Sequence, residues 1–167
     1  FPYTTLFRSG QPASRELSFI AEDAVNGPMI NLFNNSFGVF DFAVGGRNIP
    51  PGGSMTLGLT SRGFFKNFSV VGMMVTTNDA FYGIRNVEVQ PGRSVIVQAP
   101  AWDAGSEFNS EMCAFIPGPP CMNAGVRDVA GAEGFIHIHP GITGAGDLSA
   151  AEWGWHNPVA IIEISGR

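Results

Sequence analysis

The acidic side chains of this chain gather at the ends of its apolar runs. "TTNDAFYG" sets Asn78 and Asp79 directly after one such run, and "APAWDAGSEFNSE" sets Asp103, Glu107 and Glu111 just after another. The Ala-Gly-Ser between Asp103 and Glu107 is a flexible spacer that lets the chain curl, so that both carboxylates face one point. Oxygen-rich loops of this kind suit calcium (Ca2+), a hard ion that takes about 6 to 8 oxygen ligands in flexible geometry. The same residue types also serve as solvated caps and turn formers. Spacing alone leaves both readings open.

A nitrogen-based site is the other chemistry on offer. "HIH" on a strand places His137 and His139 on one face, and His156 lies further on in "WGWHNP". Three imidazoles could hold zinc, copper or iron in a cupin-like metalloenzyme. The cupin motif needs a carboxylate shortly after its second His, however, and "HPGITGAG" supplies none, so ordinary hydrogen-bonded histidines are the alternative. There is no G-x-S-x-G elbow, no P-loop and no dinucleotide fingerprint. "GITGAGDL" is only loosely like a phosphate loop and lacks the Lys-Ser/Thr ending, so its glycines are assigned to turns and Asp147 to capping the segment after it. Trp102, Trp153 and Trp155 would suit a carbohydrate-binding sandwich if exposed near the loops, although indoles in a chain this rich in Phe also serve as core and rim packing.

The elements that must position these groups are short. Gly (22) and Pro (12) are abundant and charged residues make up only 14% of the 167, which reads as many strands joined by tight turns in one domain. "SRELSFIAEDA" places Leu17, Ile20, Ala21 and Ala24 at helical spacing behind Ser14 as N-cap, with Gly27-Pro28 as the stop, giving one N-terminal helix. Strands are expected in "FGVFDFAV", "SMTLGLT", "FSVVGMMV", "FYGI", "SVIVQA", "GFIHIH" and "VAIIEI". The expected fold class is therefore all-β, an antiparallel β-sandwich with one short N-terminal helix. A net charge of −5 argues against nucleic acid as partner, and no run reaches the roughly 20 apolar residues of a membrane helix. Cys113 and Cys121 enclose "CAFIPGPPC", which suits a local disulfide and an oxidising compartment, or else two small buried residues beside a loop.

Taken in order, "GQPASRELSFIAED", "GMMVTTNDAFYGI", "PAWDAGSEFNSE", "CAFIPGPPC", "EGFIHIHPGITGAGDL" and "WGWHNPVAIIEI" resemble the spondin N-terminal domain family in its bacterial form, over Gly10 to Ile164. The resemblance implies an extracellular module with a C2-like β-sandwich that binds one calcium ion. In animals such modules belong to secreted matrix proteins of cell adhesion, so the implied partner is an extracellular protein or glycan. Carried onto matching positions, the implied ligands are Asp79, Asp103 and Glu107, the last being Asp in the animal pattern. The implied role is structural rather than catalytic, and the implied location is secreted, periplasmic or at the cell surface.

Residues 1–9, "FPYTTLFRS", are identical to the translation of a common short-read sequencing adapter. The expectation is that the genuine sequence, from a metagenomic assembly, starts at Gly10, and that a signal peptide and at least one leading strand belong ahead of it. Family members carry Leu-Phe a few residues before the Gly-Gln segment, so Leu6 and Phe7 fall where native side chains would dock.

Overall fold

The computed structural model describes residues 6–166; the first five residues of the adapter-like stretch lie outside them. Helix α1 (Arg15–Asp23) begins at Ser14, whose hydroxyl accepts a hydrogen bond from the Leu17 amide at 3.2 Å, and ends on Ala24 in the left-handed region. It buries Leu17, Ile20 and Ala21 against Phe81, Ala104, Ile136 and Met29. Phe7 joins this core edge-on to Phe81 and Trp102, with ring centroids 5.1 and 5.2 Å away, and Leu6 packs beside it.

Gly27-Pro28 does not only stop α1. It opens a second helix, α2 (Gly27–Asn34), with Pro28 in the first turn, where a missing N–H costs nothing and the fixed φ is already helical. A single turn, α3 (Ala150–Trp153), follows near the C-terminus. The expected single helix is thus corrected to three α-helices, with one 3-10 turn at Cys113–Phe115, among the described residues.

The strands form two antiparallel sheets, as the all-β reading required. β1 (Asn67–Met73), β2 (Ala80–Glu88), β4 (Ala101–Asp103) and β5 (His137–Ile138) lie in the order β1-β2-β4-β5, while β3 (Ser94–Ala99) pairs with β6 (Ala160–Ser165). One register decides where function can sit. Asp103, at the end of β4, pairs with Ala80 at the start of β2 and with His137 at the start of β5. Three chain segments distant in sequence therefore meet at one end of the larger sheet.

Two expected strands do not form ladders. "FGVFDFAV" and "SMTLGLT" run side by side as arms of an open hairpin held by side chains: the Thr60 amide donates to Asp41 Oδ2 at 2.7 Å and Arg47 Nη2 donates to the Ser54 carbonyl at 3.2 Å. Alternation supplies an apolar face but not a surface to bury it on, and Phe40, Val44, Leu57 and Leu59 stay exposed. The "CAFIPGPPC" loop is closed by a Cys113–Cys121 disulfide with Cα atoms 4.8 Å apart.

Candidate metal centre

Thr77 sets the approach to the site. Its hydroxyl donates to the Met74 carbonyl at 2.6 Å and accepts from the Ala80 amide at 3.1 Å, which turns the chain so that Asp79 enters β2 pointing inward. After β4 the chain folds back over Asp79. The Ser106 and Glu107 amides donate to Asp79 Oδ2 at 2.7 and 2.9 Å, and the Ala104 amide donates to the Asp79 carbonyl. The return needs Gly105, which sits at φ +66° so close to the Phe135 backbone that a Cβ would collide with it. Its amide donates to Asp103 Oδ1 at 2.6 Å and its carbonyl accepts from the Gly134 amide at 2.8 Å. The spacer is thus a fixed turn rather than a flexible one.

Asp79, Asp103 and Glu107 are all completely buried. Asp103 Oδ2 accepts from Asn109 Nδ2, and Glu107 Oε2 accepts from the Asp128 amide at 3.1 Å. Two oxygens are left over: Asp79 Oδ1 and Glu107 Oε1 are buried and receive no hydrogen bond, although Arg127 Nε stands 3.4 Å from the latter. Arg127 is largely committed elsewhere, pairing with Glu22 at 2.5 Å and with Asp23, two acidic groups at the wrong end of the α1 dipole. Burial, with the neighbouring Asp103 charge, pushes Asp79 up to about 7 against the pull of the amides from Glu107 and Ser106. Burial likewise pushes Glu107 up to about 7 against the Asp128 amide and Arg127. Asp103 is raised as well, again chiefly by burial.

The structure also assembles a group that sequence spacing did not single out. One ligand atom each from Asp103, Glu133 and His137 lies within 4.8 Å of the others, so this group could hold a metal ion. Glu133 lies in a loop 30 residues from Asp103, and the β4–β5 register and the Gly134–Gly105 hydrogen bond bring it there. Among the described residues no cluster with ligand atoms within 4.8 Å unites the three histidines, and none unites Asp79, Asp103 and Glu107. His139 is buried with both ring nitrogens engaged, Nδ1 accepting from the Gly141 amide at 3.0 Å and Nε2 facing Asn109 Oδ1 at 2.9 Å, and burial holds its pKa down at about 4. His156 is exposed, and Trp155 lies against the His139 ring. Trp102 donates to the Gly83 carbonyl inside the aromatic core, and Trp153 packs on the small cluster of Ile116, Ile142 and Leu148.

Beyond Glu107, the carboxylate of Glu111 is wrapped by "GITGAGDL". Its Oε1 accepts from the Thr143 amide and hydroxyl at 2.6 and 2.8 Å, and its Oε2 from the Gly144 and Ala145 amides at 2.7 and 2.9 Å. Burial opposes ionisation here too, but these donors prevail and hold Glu111 below the usual range. Asp147 does not cap the segment after it; its Oδ2 accepts from the Cys113 amide at 2.8 Å. No protein-family model and no curated protein matches this chain.

Proposed function

We propose that this domain is an extracellular, calcium-binding β-sandwich of spondin type, working as an adhesion or surface-binding module for a protein or glycan partner, with calcium structural and no catalytic role. The observation that carries the reading is that Asp79 Oδ1 and Glu107 Oε1 are buried and receive no hydrogen bond, on two carboxylates whose segments are joined by the Glu107 amide donating to Asp79 Oδ2. A buried carboxylate oxygen left without a hydrogen bond is costly unless a cation compensates it. An all-oxygen set suits a hard ion, and Ca2+ tolerates the irregular geometry that loop ligands provide. Bound there, the ion would tie the loop after β4 to the start of β2 and so fix the surface those loops present. The disulfide supports an oxidising compartment.

Calcium at 100 times its dissociation constant should stabilise the fold by about 2.7 kcal/mol, which raises the melting temperature by roughly 5 to 10 °C for a domain of this size. EDTA should reverse the gain, and Asp79→Asn should abolish the response. A melting temperature indifferent to both calcium and chelator would refute the proposal.

A further inference from the structure

We infer that Asp103, Glu133 and His137 form a second cation position, distinct from the calcium site, that selects a borderline divalent ion of the zinc class. The surroundings of His137 fix its tautomer. Its Nδ1 lies 3.2 Å from the Phe135 carbonyl, which can only accept, so Nδ1 carries the proton. In the neutral ring this leaves the Nε2 lone pair facing Asp103 Oδ2, 3.8 Å away. Two acceptors facing each other at that separation gain nothing from direct contact. A cation between them resolves the arrangement, since tetrahedral ligands at about 2.1 Å from zinc stand about 3.4 Å apart.

Glu133 supplies the independent observation. Its Oε2 is buried and receives no hydrogen bond, and a Glu133 carboxylate oxygen belongs to the same close group as Asp103 and His137. Nitrogen in the donor set separates this position from the all-oxygen calcium site, because imidazole suits zinc and its neighbours while calcium prefers oxygen alone. The support around the ligands is the kind metal-binding histidines use. The ring is oriented by its other nitrogen on a backbone carbonyl, and Asp103 is held by the Gly105 amide and by Asn109. The His137 side chain keeps 32% of its surface exposed, which leaves the ion a way in. Asp103 belongs to both sites, so each ion would help to hold the carboxylate that the other uses.

The test is titration of metal-free protein with ZnCl2 alone and, separately, with CaCl2 alone, read by calorimetry and by melting temperature. Zinc should bind and raise the melting temperature. His137→Ala and Glu133→Gln should each weaken zinc by at least the roughly 10 to 100-fold that losing a ligand's supporting contact costs. Both variants should leave the calcium response intact, whereas Asp79→Asn should remove the calcium response and keep zinc. His156→Ala, at an exposed imidazole, should bind zinc as wild type does. Cobalt in place of zinc should give visible absorption that His137→Ala abolishes. Absence of zinc binding, or zinc binding that survives His137→Ala, overturns the inference whether or not calcium binds.

Discussion

Glu107 and Glu111 lie one helical turn's worth of sequence apart in the same loop, both are buried, and the fold treats them in opposite ways. Glu111 receives four donated hydrogen bonds and is held ionised, whereas Glu107 receives one from an amide, leaves an oxygen without a donor, and is pushed toward its protonated form. A carboxylate whose donors are all supplied by protein is a fastener. One left with a buried oxygen that no hydrogen bond reaches, and with only the shared Arg127 3.4 Å away, has room for a cation from outside the chain. Burial by itself does not distinguish the two; the inventory of donors does.

Removing the fastener should have the largest effect. Glu111→Ala strips the anion from the loop that wraps it, and the expected loss is about 3 kcal/mol of stability in urea unfolding, the same with or without calcium. A loss that calcium restores would erase the distinction between the two residues.

A smaller effect separates them by pH. Without metal, burial pushes Asp79 and Glu107 up to about 7 from ordinary values of 3.8 and 4.5, so between those limits the folded state holds protons that the unfolded chain has released. Their contribution is therefore complete at the acid end and is lost as pH rises toward neutrality. His139, held at about 4 instead of 6.5, opposes this with a single proton. Glu111 runs the other way, since its contribution is present above its ordinary value of 4.5 and disappears on acidification. Melting temperatures of metal-free wild type and Glu111→Gln should accordingly converge at low pH. If instead the two curves stay parallel from neutral to acid, Glu111 is not held as its anion.

The smallest effect is also the sharpest. Glu107→Gln places a neutral amide where an under-compensated carboxylate stood, so metal-free stability should change by less than about 1 kcal/mol while the calcium-induced shift in melting temperature disappears. Strong destabilisation of the metal-free variant would show that Glu107 is a second fastener.

Local signals are legible in the sequence where the cause is local. The Ser14 cap and the strands at "FSVVGMMV", "FYGI", "SVIVQA" and "VAIIEI" arise from neighbouring residues, whereas the Glu107 amide reaches Asp79 across 28 residues, a contact that spacing within the Asp103–Glu107 loop does not report. Gly27-Pro28 misleads because the same dipeptide ends one helix and begins the next. The arms around Pro50 and Pro51 alternate correctly, but pairing depends on an apolar surface that alternation cannot report. Glu133 is invisible to spacing because strand register supplies its partner Asp103. Glu111 carries a visible clue in the glycine-rich loop, which reads as a set of turns and is in fact a cradle for an anion in the same chain.

That cradle has a consequence in the language of effective concentration. The loop from Gly141 to Leu148 offers amides to an anion much as a phosphate loop does, yet its anion is tethered by the backbone and restrained further where the Asp147 amide donates to the Glu111 carbonyl at 2.8 Å. A tethered ligand binds without the translational cost a free one incurs, as if present at millimolar concentration or above. Phosphate or sulfate arriving from solution must displace a competitor that never diffuses away, so this loop is closed to them for as long as the domain is folded.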